Sequence, residues 1–238
     1  MKYTWATASH VGHVRDQNED SVAPELDGSS EGPVVVAVAD GMGGAAAGEV
    51  ASKLALEAAI SAPPADTDTA GRITAGNKAV LDAIVADPSR AGMGTTMTLG
   101  VFDASGTLHL GHVGDSRAYL LRDGSLRRLT TDHTYVMDLV ARGQLSPEAA
   151  STHPRRHLIT RVVGMEDIAV DQSEVSLVPG DRVLMCSDGL TDMVGDDDIE
   201  RILQHEESVP GAAWALIEAA NTAGGIDNTT VAIIDVHP

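Results

Sequence analysis

Short apolar runs, some of them ended by aspartate and glycine, alternate along this chain with longer amphipathic stretches. Residues 34–39, Val-Val-Val-Ala-Val-Ala, form an uninterrupted apolar run, which predicts a strand covered on both faces. Residues 44–60 and 69–86 have helical periodicity, and so do residues 197–205 and 212–221. The pattern therefore predicts two pairs of helices, one early and one late in the chain.

The stretch between these helix pairs consists mainly of short strand-like runs joined by turns. Asp103–Gly106 and Asp123–Ser125 have the composition of hairpin turns, and consecutive hairpins imply antiparallel pairing. Paired helices and antiparallel strands favour an α+β fold built in layers. No linker or repeat interrupts residues 1–238, so we predict a single domain. The predicted strands cover residues 3–10, 33–39, 95–102, 107–113, 117–121, 125–129, 175–177 and 182–187, with a last one through Val236.

Three aspartates stand where predicted strands meet polar residues. Asp40 and Asp188 follow apolar runs and are themselves followed by glycine, while Asp227 lies just before the apolar run 229–234. A single Asp-Gly pair is more often a turn than a site. Because all three aspartates share the strand-end context, we favour carboxylates gathered at one edge of a sheet. Carboxylate oxygens are the ligands that Mg²⁺ prefers and Mn²⁺ accepts.

Charged residues are concentrated in the segment 15–20, Arg-Asp-Gln-Asn-Glu-Asp. The simplest interpretation of this segment is a solvated loop. The functional interpretation is that Arg15 grips a phosphate bidentately while Glu19 and Asp20 hold metal-bound waters. Asp115, at the end of a later apolar run, is either a fourth metal carboxylate or the cap of a hairpin.

The composition narrows the classes of partner and compartment. A formal net charge of −19 over 238 residues gives a surface that repels nucleic acid and anionic membranes. Cys186 is the only cysteine, so no intrachain disulfide forms, and no Cys/His cluster suits a thiolate zinc site. No apolar core of a signal peptide follows residues 1–5, and no run approaches the ~18 apolar residues of a membrane span. We therefore predict a cytoplasmic protein, or the cytoplasmic part of a longer one.

Eight motifs follow one another in order between residues 15 and 234. They are RDQNED, VADGMGG, GTT, GHVGDSRAYL, LTTDHT, ITRVVG, CSDGLTD and DNTTVAII. In this order they resemble the bacterial type 2C (PPM) metal-dependent serine/threonine protein phosphatases. The resemblance covers essentially the whole chain, and an ordered set of this size is a specific signal.

The resemblance implies a fold and a core metal centre. The implied fold is a four-layer α/β/β/α sandwich, in which two central antiparallel sheets are flanked by helix pairs. A binuclear centre of Mn²⁺ or Mg²⁺ would lie at one end of the sheets. Asp40 would bridge the two ions and the Gly41 carbonyl would bind one of them. Asp188 and Asp227 would complete the coordination of the other ion.

The resemblance also implies roles for neighbouring residues. Arg15 would bind the substrate phosphate, whereas Glu19 and Asp20 would act mainly through water. Asp115 resembles the ligand of a third, weaker metal ion, which it would share with Asp188.

Two features depart from the family pattern or extend it. Many eukaryotic relatives have histidine at the position of Met42, so this chain has no general acid there. Residues 133–164 correspond to a variable element of the family, the flap segment, which is compact here and carries Arg155, Arg156 and His157 near its end. In some bacterial relatives the position that matches His157 approaches the third metal ion.

From these features we expect hydrolysis of phosphoserine and phosphothreonine in proteins by a metal-activated water. The expected partners are those phosphoproteins and a cognate serine/threonine kinase, and the chain is expected to be a monomer. Two alternatives stay open: a pseudophosphatase that binds phosphoproteins without hydrolysing them, and a phosphatase of small phosphometabolites. The complete carboxylate set argues against the first, and only family analogy argues against the second.

Overall fold

Two antiparallel β-sheets lie face to face in the computed structural model, which describes residues 1–43 and 47–238. Within these residues each sheet has six strands. The first sheet contains, in spatial order, β3 (Gly28–Ser30), β1 (Lys2–His10), β12 (Thr229–His237), β11 (Arg182–Cys186), β8 (Arg117–Arg122) and β9 (Ser125–Arg128). The second contains β10 (Asp171–Ser176), β7 (Thr107–Val113), β6 (Met97–Phe102), β4 (Val34–Met42) and β2 (Asp20–Ala23), with β5 (Gly94–Thr95) paired to the end of β4.

Helices cover the outer faces of both sheets. In chain order they are α1 (Ala47–Ile60), α2 (Thr69–Ala86), α3 (Tyr135–Ala141), α4 (Pro147–Ser151), α5 (Asp188–Thr191), α6 (Asp196–His205) and α7 (Val209–Thr222). α1 and α2 pack on the second sheet, α5 to α7 pack on the first, and α3 and α4 belong to the flap segment. None of the helices in the two described ranges is long and apolar enough to cross a bilayer.

Three apolar cores separate the four layers. The central core lies between the sheets, where the rings of Tyr3 and Phe102 meet edge to face with centroids 5.5 Å apart. A second core joins the second sheet to α1 and α2, and a third joins the first sheet to α5, α6 and α7. The prediction of two antiparallel sheets flanked by helix pairs is therefore confirmed.

Strand β4 shows why the run 34–39 has no polar interruption. Val36 and Val38 belong to the central core, whereas Ala37 and Ala39 belong to the core beneath α1 and α2. Because successive side chains of a strand point to opposite faces, a strand covered on both faces needs apolar residues at every position.

Local end signals explain where the long helices begin. α2 has the predicted bounds 69–86, because Asp68 Oδ1 accepts a hydrogen bond from the Gly71 N–H at 2.9 Å and so caps the helix. The predicted helix 44–60 is observed from Ala47, and residues 44–46 lie outside the described residues.

Edge strands are where prediction and structure differ. The simplest interpretation of residues 15–20 is a loop, yet β2 begins at Asp20, and the strand predicted over 175–177 is observed as β10, which spans Asp171–Ser176. β2 and β10 end the spatial order of the second sheet, and β10 is almost entirely exposed. Such strands need no apolar pattern, because pairing with β4 and β7 fixes them instead.

Candidate active site

Four aspartates from different strands meet at one edge of the sandwich. Asp40 on β4 and Asp20 on β2 are partners in the antiparallel pairing of these strands. Asp188 follows β11 and Asp227 precedes β12. Because β11 and β12 are antiparallel neighbours, these two ends lie at the same edge of the first sheet. The strand-end aspartates found in the sequence therefore come together, with Asp20 added from the second sheet.

Ser187 links the two sheets at this edge. Its hydroxyl donates to Asp20 Oδ2 at 2.7 Å and accepts the backbone N–H of Thr230 at 2.9 Å. The carboxyl group of Asp188 is close enough to that of Asp40 to raise the pKa of Asp40. Side chains from both sheets are thus held against one another at this junction.

The clustered carboxyl groups resist ionisation. Burial raises the pKa of Asp20 to about 7, that of Asp115 to about 8 and that of Asp188 to about 6. Neighbouring carboxylates raise these pKa values further. The carboxylate of Asp188 raises the pKa of Asp115, and that of Asp192 raises the pKa of Asp188. The pKa of Asp40 is raised well above its ordinary value, first by burial and then by the nearby carboxylates of Asp20 and Asp188. A nearby cation would reverse these shifts.

The donor set fits hard divalent cations. Oδ1 of Asp20 and Oδ1 of Asp115 are buried and have no hydrogen-bond partner among the described residues. Burying such an oxygen is costly unless another group satisfies it. The aspartates offer only carboxylate oxygens, which Mg²⁺ and Mn²⁺ accept. The residues present therefore fit the predicted Mn²⁺ or Mg²⁺ centre.

His157, Asp188 and Asp192 form a second, tight group of ligand atoms, all within 4.8 Å of one another in the described part of the chain. His157 Nδ1 lies 3.2 Å from Asp192 Oδ2. Asp188 therefore belongs both to this group and to the cluster that contains Asp40 and Asp227. Sequence reasoning missed Asp192, although its spacing of four residues from Asp188 places both on one helical face.

Asp115 is buried in the turn between β7 and β8, and His133 holds this turn. Nδ1 of His133 accepts the Gly114 N–H at 3.1 Å, and the His133 N–H donates to the Gly114 carbonyl at 2.7 Å. The carbonyl of His133 in turn accepts the N–H of Thr160 at 2.8 Å. Sequence reasoning gave His133 no role, because both of its partners are distant along the chain.

Arg15 and Glu19 approach the cluster from the loop between β1 and β2. Arg15 Nη2 lies 2.6 Å from Asp227 Oδ2, and both side chains are partly exposed. The backbone N–H of Glu19 donates to Asn228 Oδ1 at 2.8 Å. The Glu19 carboxylate touches α1, since a Cβ added to Gly48 would lie 2.6 Å from Glu19 Oε1. The charged loop of the sequence therefore borders the site.

Close packing, rather than turn formation, requires the glycines after Asp40 and Asp188. Gly41 continues strand β4, and a Cβ on it would lie 2.2 Å from the carbonyl oxygen of Gly48. Gly189 lies in α5, and a Cβ on it would lie 2.0 Å from the carbonyl oxygen of Asn228. The turn interpretation of an isolated Asp-Gly pair does not apply at either position.

Gly189→Ala is expected to lower the melting temperature by roughly 5 °C or more. Overpacking against backbone costs about 1–3 kcal/mol or more, and each kcal/mol shifts the melting temperature of a domain of this size by about 2–4 °C. Differential scanning calorimetry measures the change. Gly195→Ala is the control, because a Cβ there meets nothing within 4 Å. Equal melting temperatures for the two variants would contradict the packing argument.

Above pH 6.5, the metal-free protein is expected to lose stability as the pH rises. Asp20 and Asp115 have folded-state pKa values of about 7 and 8, whereas an ordinary aspartate, as in the unfolded chain, has a value of 3.8. Between pH 6.5 and 8.5 the folded state therefore holds protons that the unfolded state has lost. Each such proton lowers the free energy of unfolding by about 1 kcal/mol per pH unit. Thermal melts in chelator at several pH values measure the slope.

This pH window excludes the opposing contribution of buried histidine. Burial lowers the pKa of His112 to about 3, so its neutral form favours folding as the pH rises only up to the ordinary histidine value of 6.5. Asp115→Asn is the control and is expected to flatten the slope, as is added Mn²⁺. A melting temperature that rises with pH in this window would show that the carboxyl groups are already ionised.

A groove of about 870 Å³ lies over the carboxylate cluster. Arg15, Glu19, Asp40, Asp188 and Met42 are among the residues that line it. Its volume greatly exceeds that of a phosphate group, so it has room for the organic part of a larger ligand. The Met42 side chain carries no ionisable proton, as the sequence predicts.

Comparison with known proteins shows which family this chain resembles. The family model "Protein phosphatase 2C" matches residues 8–213. The serine/threonine protein phosphatase PstP of Mycobacterium tuberculosis is 43% identical over 241 residues, which cover 98% of this chain and 45% of PstP. The serine/threonine phosphatase stp of Listeria monocytogenes is 36% identical over 235 residues, which cover 94% of this chain and 92% of stp. The chain thus spans less than half the length of PstP and most of the length of stp.

Solved structures share the fold. The crystal structure of M. tuberculosis PstP/Ppp has a TM-score of 0.91 at 40% identity and covers 100% of both chains. The PstP catalytic domain in complex with two manganese ions has a TM-score of 0.88 at 40% identity, covering 100% of this chain and 99% of that one. Sequence and architecture agree, and this chain belongs to the protein phosphatase 2C family.

Proposed function

We propose that this chain hydrolyses phosphoserine and phosphothreonine in proteins as a metal-dependent phosphatase. The observation that carries the proposal is the cluster of buried aspartates at the junction of the two sheets. Oδ1 of Asp20 and Oδ1 of Asp115 have no hydrogen-bond partner among the described residues. Carboxylates repel phosphate, so a site built only to bind phosphoproteins gains nothing from them. A carboxylate cluster can attract a phosphate only when it holds cations.

The metal centre is proposed to contain two core ions of Mn²⁺ or Mg²⁺ and a third, weaker one. The proposed core ligands are Asp40, Gly41 through its carbonyl, Asp188 and Asp227, with Glu19 and Asp20 acting through water and Asp115 serving the third ion. The two manganese ions in the PstP structure support the core pair. When bound, such ions supply Lewis acidity and activate water for attack on phosphorus.

Arg15 is proposed to bind the phosphate of the substrate. Its guanidinium lies at the groove beside Asp227 and presents parallel N–H donors that match phosphate oxygens. To reach the phosphate it gives up its bond to Asp227, which leaves that carboxylate available as a ligand. Arg15 therefore contributes to phosphate binding and orientation rather than to proton transfer.

Arg15→Ala is expected to raise KM more than it lowers kcat. Loss of a charge-assisted hydrogen bond costs about 1.5–3 kcal/mol, which corresponds to roughly a tenfold to hundredfold rise in KM. Steady-state kinetics on a phosphopeptide measure both constants. Arg201→Ala is the matched control, because Arg201 forms another exposed pair, with Asp198 at 2.6 Å, outside the groove. Kinetics of Arg15→Ala that equal those of the wild type would remove Arg15 from the site.

A panel of phosphopeptides tests the function itself. Peptides that carry phosphoserine, phosphothreonine or phosphotyrosine are assayed with Mn²⁺, with Mg²⁺ and with chelator, alongside p-nitrophenyl phosphate and small phosphometabolites. We expect metal-dependent turnover of the phosphoserine and phosphothreonine peptides. Absence of turnover with either metal would favour a binding protein, and faster turnover of small phosphometabolites would favour a metabolic phosphatase.

The substrates imply further partners. Phosphoserine and phosphothreonine proteins are made by serine/threonine kinases, so we propose that a cognate kinase supplies the substrates. We also propose that the chain acts as a monomer, since the proposed ligands all come from one chain. A single, buried cysteine suits a reducing compartment, which supports a cytoplasmic location.

A further inference from the structure

Large apolar side chains are exposed at the edge of the groove. The described residues include nine large hydrophobic side chains that are exposed, and three of these line the groove: Leu158 at 52%, Met165 at 45% and Ile226 at 54%. Isolated exposed apolar residues are ordinary, but several around one polar site indicate contact with a ligand. We call Leu158, Met165 and Ile226 the apolar rim.

The backbone of the apolar rim is held in place. The Leu158 carbonyl accepts the Tyr135 N–H at 2.8 Å, and the Met165 carbonyl accepts Asn77 Nδ2 at 3.0 Å. Ile226 directly precedes Asp227, whose neighbour Asn228 bonds the carbonyls of Val11 and Gln17. The three side chains are therefore presented to water by fixed backbone, so a ligand that covers them meets a preformed surface.

A cation lies beside the apolar rim. Arg156 lines the groove and is exposed, and no carboxylate oxygen of the described residues lies within 4.0 Å of its guanidinium nitrogens. By contrast, Arg15 is paired with Asp227 and Arg161 with Asp171. In a chain of net charge −19, an arginine without a carboxylate partner at the mouth of the site offers a place for an anionic group of the ligand.

We propose that this groove selects phosphopeptides that carry, close to the phosphorylated residue, both a bulky apolar side chain and an anionic side chain. The apolar side chain packs on Leu158, Met165 and Ile226, and the anionic side chain pairs with Arg156. The inference rests on the proposed function, because it places the phosphorylated residue over the carboxylate cluster. It adds a preference among protein substrates, which the cluster alone cannot provide.

Matched phosphothreonine peptides test the preference. Four kinds of peptide place leucine or serine at one position near the phosphothreonine and glutamate or glutamine at another. Each kind is made in both orders, with the two positions on the same side and on opposite sides of the phosphothreonine, and a fifth kind replaces glutamate by a second phosphothreonine. Binding of nonhydrolysable phosphonate versions is measured by fluorescence anisotropy, and turnover of the hydrolysable versions is measured as kcat/KM. The wild type is expected to prefer leucine over serine, and an anion over glutamine, about tenfold each.

Variants assign the preference to the proposed residues. Leu158→Ser and Ile226→Ser are expected to reduce the leucine-to-serine ratio to about two or less, and Arg156→Gln to do the same for the anion-to-glutamine ratio. Val85→Ser is the apolar control, because Val85 on α2 is 82% exposed and lies outside the groove. Arg201→Gln is the charge control. Both controls are expected to keep the wild-type ratios.

The outcomes for the groove and for the catalytic function can be told apart. Binding ratios near one in the wild type would overturn the apolar rim proposal, as would equal loss of the leucine ratio in Val85→Ser and Leu158→Ser. Loss of the anion preference in Arg156→Gln supports the Arg156 contact, whether carboxylate or phosphate gives the larger ratio, and an unchanged preference in that variant would overturn it. Intact binding ratios without turnover of any peptide would support the groove and overturn only the proposed hydrolysis.

Discussion

Asp188→Ala is expected to reduce kcat/KM on phosphopeptides by roughly a thousandfold without lowering the melting temperature of the metal-free protein. If Asp188 is a core ligand, as proposed, its loss removes several kcal/mol of the transition-state stabilisation that the metal centre would supply. Stability is expected to be unchanged or higher, because Asp188 is surrounded by Asp40, Asp192 and Asp227 and its removal relieves their repulsion. Phosphopeptide kinetics with Mn²⁺ and melting in chelator measure the two effects.

Asp181→Ala provides the contrast to Asp188→Ala. Asp181 is also buried, yet it pairs with Arg122 through two hydrogen bonds of 2.8 and 2.6 Å and accepts the Val178 N–H. Removing Asp181 leaves partners unsatisfied, so we expect lower stability and unchanged metal binding. If Asp188→Ala instead lost as much stability as Asp181→Ala, Asp188 would be a structural residue and its role as a ligand would be rejected.

Asp115→Ala is expected to keep the two core metal sites but lose activity on phosphopeptides roughly tenfold or more, the order of loss seen when support for a metal site is removed. Asp115 is buried beside Asp188, and its Oδ1 has no partner among the described residues. An ion served by few protein ligands keeps most of its water and is weakly held. Isothermal titration calorimetry with Mn²⁺ counts the tight and weak sites in the wild type and the variant.

The same titration can reject the role proposed for Asp115. Loss of a tight site would make Asp115 a core ligand, and full retention of metal binding and turnover would make it a structural residue of the turn. Asp132→Ala is the control, because Asp132 is buried nearby but is paired with Arg117 and Arg128. Its removal should lower stability while leaving the number of metal sites unchanged.

The parts of this molecule that could be predicted from sequence carry their signal locally. The unbroken run before Asp40 predicts a strand covered on both faces, and the helical periodicity of residues 69–86 predicts α2. The ordered motifs predict the sandwich and place Asp40, Asp188 and Asp227 at one edge.

The parts that were missed depend on contacts between distant segments. Strand β10 is defined by pairing with β7, since its own residues are polar and exposed. His133 gains its role from Gly114 and Thr160, which lie far from it in the chain. No local sequence pattern predicts these partners, because the contacts form only when distant segments come together in the fold.

The flap segment is closed near its two ends by contacts between its own residues. Thr134 and Ile159 form an antiparallel bridge, which the bond from the Tyr135 N–H to the Leu158 carbonyl extends. The chain thus leaves and re-enters the fold through one closed stem, and the core aspartates lie outside it. The length and sequence between the two ends can therefore vary without moving Asp40, Asp188 or Asp227, so that part of the groove surface, including Arg156 and Leu158, can change in evolution while the carboxylate cluster stays in place.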